Sequence, residues 1–167
     1  MSYTETLLAE FDTEMKTTRT MLEQVPFGKD ATKPGSKSRT MHELAAHVAN
    51  IVRFGDLAIG ANERDFSAPR AAMPATYDSS EDLLKAFDAN VAASRTAIQG
   101  LDESTLGDTF TLRRGETVVI ALPRAAALRV LLMNHSIHHR GQLSAYFRLN
   151  DVTHPPIYGP NAEMSGR

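Results

Sequence analysis

Leu128-Arg129-Val130-Leu131-Leu132-Met133-Asn134-His135-Ser136-Ile137-His138-His139-Arg140-Gly141-Gln142 is the stretch from which the fold can be read. Leu128, Leu131, Leu132, His135, His139, Gln142 and then Tyr146 recur at steps of three and four, the spacing of one helical face. That face is apolar until two imidazoles interrupt it. His135 and His139 are four residues apart, so they sit about 6 Å from each other along one side of a helix. Two imidazoles so placed can grip one divalent ion. A third ligand from elsewhere would complete the partly open set used by catalytic metal sites. The helix is expected to begin near Pro123, a residue suited to a first helical turn, and to end near Leu149, before Asn150-Asp151.

Three more helices are expected upstream. Residues 3–24 carry Leu8, Phe11, Met15, Met21, Leu22 and Val25 on one stripe, with Thr18 filling a step, and Pro26 and Gly28 end the run. Residues 28–38 are polar and turn-rich. Thr40-Met41-His42-Glu43 fits a capping box, opening a helix over 41–61 with Leu44, His47, Val48, Ile51, Phe54 and Ala58 inward. Residues 62–78, with Pro69 and Pro74, read as an irregular connection. Ser79 or Ser80 caps a third helix striped by Leu84, Phe87, Val91 and Ile98, and Gly100 ends it. Thr109–Leu112 and Thr117–Ile120 flank Arg113-Arg114-Gly115-Glu116, which predicts a hairpin with Gly115 in its turn. The fold class expected is all-α: an antiparallel four-helix bundle, one domain over 1–167, with a short β-hairpin inserted before the last helix.

His47 lies between Leu44 and Ile51 on the core side of its helix. An imidazole pointing into a core is costly unless its nitrogens find partners. Three such residues, His47, His135 and His139, can satisfy one another by sharing a metal ion. His138 is the rival, but it stands about 100° round the helix from His139. His42, in a first helical turn, is expected to face solvent, and His154 falls in a Pro-rich tail. Among candidate catalytic groups, Gln142 shares the face of His139, Tyr146 continues that face, and Glu43 is the nearest acid although capping already explains it. Arg140 follows His139 by one position, which turns it away from that face. Gly141 suggests a close helix crossing, and Tyr158-Gly159-Pro160 a rigid turn laying the tail on the bundle.

Composition narrows the chemistry. The 167 residues include no cysteine, so disulfides, thiolate metal sites and a cysteine nucleophile are excluded. The 18 basic and 20 acidic residues are well mixed, without the basic stripe that nucleic-acid binding uses. Neither a signal peptide nor a membrane-length apolar run is read, and a cytoplasmic location is the expectation.

Two blocks carry a family resemblance: Glu43-Leu44-Ala45-Ala46-His47, and His135-Ser136-Ile137-His138-His139-Arg140-Gly141-Gln142-Leu143 continuing through Tyr146-Phe147-Arg148 to Pro156-Ile157-Tyr158-Gly159-Pro160. On these the sequence resembles the DinB-like (damage-inducible) metal-binding proteins, which include bacterial thiol transferases. The resemblance implies a four-helix bundle, commonly a homodimer, whose divalent ion is zinc or nickel held by three histidines, here His47, His135 and His139. It also implies a small-molecule substrate, with a low-molecular-weight thiol as partner in relatives that use bacillithiol or mycothiol. A thiol-dependent S-transferase is the leading expectation. A metal-dependent hydrolase, or a non-enzymatic stress-response or ligand-binding protein with a structural metal, are the alternatives. A DNA-acting role is disfavoured by the charge balance.

Overall fold

A computed structural model describes residues 1–28, 33–67 and 73–165. Four long helical segments close a ring. Helix α1 (Tyr3–Leu22) packs against α4 (Ser80–Gln99) and α6 (His135–Leu149), and α2 (Met41–Ile51) lies between the same two neighbours on the other side. Phe11, Met21, Leu44, Val48, Phe87, Ile98, Leu132, Leu143 and Phe147 fill the space between them. Two long elements start as expected: Thr40 and Glu43 form the capping box on α2, and Ser79 rather than Ser80 caps α4 through the amide of Asp82. On α1, Ser2 and Glu5 form a further capping box.

The helix expected over 41–61 is two helices. It breaks at Val52-Arg53 and resumes as α3 (Phe54–Gly60). Ser94 of α4 explains the break. Its buried hydroxyl donates to the Val52 carbonyl at 2.5 Å and accepts from the Asp56 amide at 3.2 Å, satisfying groups that a continuous helix would pair internally. Gly55 permits this approach. A Cβ there would lie 2.7 Å from Ser94 Cβ and 3.1 Å from Leu132 Cδ2.

The connection over 62–78 is less irregular than expected, although Pro69 lies outside the described residues. Strand β1 (Glu63–Asp65) pairs in parallel with β2 (Thr109–Arg114), which pairs antiparallel with β3 (Thr117–Pro123). The hairpin therefore gains a third strand, and Arg113 and Arg114 belong to β2 rather than to the turn. Gly115, at φ +57°, supplies the left-handed turn residue, and its amide donates to the Asp65 carboxylate at 3.0 Å. Phe110 and Leu112 point from β2 into the core, which anchors the sheet to the bundle.

Pro123 closes β3 and precedes the last helical segment instead of occupying its first turn. That segment is α5 (Arg124–Ala127), then a π-helical turn (Leu128–Asn134), then α6. Arg124 is buried and donates to the carbonyls of Ala58, Ile59 and Ala61, so it caps the end of α3. After α6, Asp151 adopts φ 54° and the Val152 amide returns to the Phe147 carbonyl at 2.9 Å, a Schellman-type stop at the expected place.

Arg140 is the largest fully buried side chain. It points away from the histidine face toward α1, where it meets Glu14 at 2.6 Å, the Glu14 carbonyl at 3.0 Å and Thr18 Oγ1 at 3.2 Å. The Tyr158 hydroxyl accepts from Arg140 at 2.5 Å and donates to Glu14 at 2.9 Å, while most of its ring stays exposed. The tail thus lies on the bundle through this polar cluster. Glu14 accordingly joins the inner stripe of α1, where Leu7 is buried more deeply than the expected Leu8. On α4 the innermost positions are Leu83, Phe87, Ser94 and Ile98, with Leu84 and Val91 only half-buried. Gly141 is exposed and a Cβ there would meet nothing within 4 Å, so no helix crosses it.

Candidate metal centre

Helix α2 and helix α6 pack side by side, and their facing turns bring His47, His135 and His139 together. One ligand nitrogen from each lies within 4.8 Å of the other two. The ring centroids are 4.4 Å apart for His47 and His139, 4.8 Å for His135 and His139, and 5.4 Å for His47 and His135. All three are half-buried.

The nitrogens are arranged for a shared ion. His47 Nε2 and His139 Nε2 face each other at 3.1 Å. His139 Nδ1 sits 2.7 Å from Gln142 Oε1, which accepts only, so the proton is held on Nδ1 and the Nε2 lone pair is left toward His47. Two nitrogens on one tetrahedral zinc would stand roughly 3.3 Å apart at ordinary zinc–imidazole lengths. The donor set therefore fits a divalent ion, with small adjustment of His135.

His135 follows directly on the π-helical turn, so that turn sets the angle at which its ring enters the cluster. The contact of Gln142 with His139 is the kind of outer partner that fixes the tautomer and aim of a ligating histidine. The π-helical turn is not legible in the sequence, because π and α segments share the same apolar residues.

Electrostatics keep the three rings neutral. Burial pushes His47 down to about 4, aided by the positive charge of Arg39 and by His139 and His135. Burial also lowers His135, against the opposing bond to Leu131, and His138 and Arg39 lower it further. His139 is lowered by burial as well, with Gln142 opposing and His135, His138 and Arg39 adding to the fall. Neutral imidazole is the form that ligates.

The other candidates fall into place around this cluster. His138 is exposed and outside it, with its ring 4.8 Å from that of His139. His42 does not simply face solvent. Its Nε2 contacts the Pro26 carbonyl at 2.7 Å and its ring stacks on Phe27 at 5.0 Å, so it clips the loop after α1 onto α2. His154 contacts its own neighbour, the Pro155 carbonyl, at 2.9 Å. Tyr146 donates its hydroxyl to the Arg39 carbonyl at 2.9 Å and thereby fixes the chain segment over the site. Glu43 accepts from the Thr40 amide at 2.6 Å, and its bonds to Thr40 hold the carboxylate below its ordinary pKa.

Over nearly its whole length the sequence matches one family model, that of DinB, across residues 1–166. The chain belongs to the DinB family. Two solved DinB-like proteins are similar to this DinB-family chain in fold. One, from Bacillus cereus ATCC 10987, superposes with a TM-score of 0.71 at 18% identity, covering 92% of this chain and 97% of its own. The other, YjoA from Bacillus subtilis, gives 0.70 at 18% identity, covering 93% and 99%. No curated protein matches the sequence. Among the described residues, no helix of this DinB-family chain is long and apolar enough to cross a membrane.

Proposed function

We propose that the protein is a metal-dependent enzyme in which His47, His135 and His139 hold zinc or nickel, with transfer involving a low-molecular-weight thiol preferred over hydrolysis. One observation carries this reading: two of the three clustered imidazoles open onto adjoining clefts. Each cleft has a volume of about 460 Å³; His47 lines one and His139 lines the other. A structural ion is normally closed off by four protein ligands, whereas three histidines beside open space suit a reactive centre. A donor set made only of imidazole suits zinc and nickel among the common ions.

A divalent ion bound there would act as a Lewis acid and make an incoming thiol or water more acidic. The protein's own residues do the positioning. Gln142 holds the ring proton of His139 away from the shared centre. Tyr146 and the capping pair Thr40–Glu43 hold the segment carrying Arg39 at the rim. The homodimer implied by the family belongs to the same proposal, and sedimentation at micromolar concentration decides it.

Elemental analysis of the purified protein, followed by turnover assays with several small thiols and electrophiles, tests the reading. One metal per chain, lost in His135→Ala and kept in His138→Ala, is the expected result. Equal loss in both variants would overturn the ligand assignment.

A further inference from the structure

The two clefts at the histidines differ in character. The His47 side is lined by Lys33, Glu43 and Asn50 together with Met73, Pro74 and Ala75, while the His139 side is lined by Pro34, Leu44, Ala145, Tyr146 and Leu149 with Gln142. Lys37, Ser38 and Arg39 border both and form the partition between them. The His47 side carries three cations against one carboxylate, Glu43, which accepts from the Thr40 amide and also feels the positive charges of Lys33 and Arg39.

Arg19, Arg95, Arg129 and Arg148 pair with Asp or Glu on the surface, whereas among the described residues Arg53, Arg64 and Arg114 form no ion pair. Among the described residues Lys33, Lys37 and Arg39 form no ion pair. The peptide unit that follows Arg39 is held at both ends: its carbonyl accepts from Tyr146, and its amide donates to Glu43. This anchors Arg39 at the mouth of the cleft beside Lys33 and Lys37, and holding like charges close together is unfavourable. An anion in the cleft would recover that cost, since arginine presents a planar fork to carboxylate and phosphate.

We propose that the His47-side cleft recognises a reactant bearing a carboxylate or phosphate group, with Arg39 as the specificity-determining residue and Lys33 and Lys37 as supporting charges. The apolar cleft on the His139 side then receives the uncharged portion or the second reactant. This rests on the reading of the histidine cluster as a reaction centre, but its recognition element is separate from the histidines.

Two measurements separate the readings. In the first, metal-free protein is titrated with sodium phosphate and with sodium acetate while amide NMR shifts of Ser38, Arg39 and Asn50 are followed, with sodium chloride of equal ionic strength as reference. Saturable shifts are expected, and Lys37→Gln/Arg39→Gln should weaken them at least tenfold; the stronger of the two anions identifies the group. Shifts no different from those with chloride would overturn the proposal. In the second, zinc-loaded protein is titrated calorimetrically with 3-mercaptopropionate and with its neutral counterpart 3-mercapto-1-propanol. A preference of about tenfold for the anion is expected in the native chain, falling to parity in Arg39→Gln. Equal affinities in the native chain would also overturn it. Zinc uptake by Arg39→Gln should be no weaker than native, because a positive charge has been removed; weaker uptake would mean the variant has lost its structure, and Arg39→Lys, which keeps a charge, then carries the test through a retained preference. If the native chain takes up no zinc, the metal reading fails while the phosphate and acetate titrations still decide the anion reading.

Discussion

Replacing Arg140 with methionine should destabilise the protein without touching the histidines. Arg140 is 1% exposed and its partner Glu14 8%, so the pair is cut off from water. The substitution leaves the Glu14 carboxylate with the Tyr158 hydroxyl as its remaining partner among the described residues, while Thr18 Oγ1 and the Glu14 carbonyl lose the guanidinium but keep their bond to each other. Removing one member of a buried pair typically costs about 3–5 kcal/mol. For a chain of this length that is a fall in Tm of roughly 6–20 °C. The double variant Glu14→Met/Arg140→Met leaves no lone buried charge and should recover most of the loss. Urea denaturation of the native, single and double forms measures this, with zinc stoichiometry determined on each. A single variant within about 1 kcal/mol of native would refute the reasoning. So would a single variant of native stability that no longer binds zinc, because Arg140 would then belong to the centre.

Gln142→Leu removes the acceptor that sets the tautomer of His139, and metal affinity should drop roughly 10–100-fold with the fold intact; a competition titration with a chelating dye reads it. Gly55→Ala should cost about 1–3 kcal/mol through overpacking against Ser94 and Leu132, and thermal denaturation showing no change would contradict the close crossing described. The pH dependence follows from the lowered histidines. In the unfolded chain His47 takes a proton near its ordinary 6.5, but in the folded chain only at about 4. The unfolded state therefore binds more protons between those values, so the contribution of His47 to the stability of the metal-free protein is lost as pH falls from 6.5 to about 4, and the lowered carboxylates such as Glu43 take over below that. Metal uptake, which needs neutral rings, should persist below pH 6.5 and fail toward 4; a loss already complete at 6 would contradict the depressed value.

Much of the helical frame was legible because it rests on local chemistry. Thr40 and Ser79 announce helix starts, and the spacing of His47, His135 and His139 on apolar stripes announces their convergence. What escaped the sequence depends on partners distant along the chain. The break at Val52 is made by Ser94, forty-two residues away. The third strand exists because β2 offers an edge to Glu63–Asp65, a segment too short and polar to show a strand pattern. Arg140 reads as a charged residue beside a metal ligand, and only the position of Glu14 on α1 shows that it belongs to the core. His42 looked solvent-facing because its acceptor, the Pro26 carbonyl, lies beyond the reach of any helical periodicity.

The seven-residue π-helical turn before His135 acts as a phase joint in the longest helical run of the chain. One residue fewer there would turn the upstream half, with the hairpin attached to it, by about 100° relative to the histidine pair. The two halves can therefore be indexed separately: one by the packing of the sheet, the other by the need to present His135 and His139 to His47. Length changes confined to Leu128–Asn134 would retune which side chains meet His47 while every surface loop kept its length. For a designer, this is the place where the reactive end of the bundle can be rotated against its scaffold.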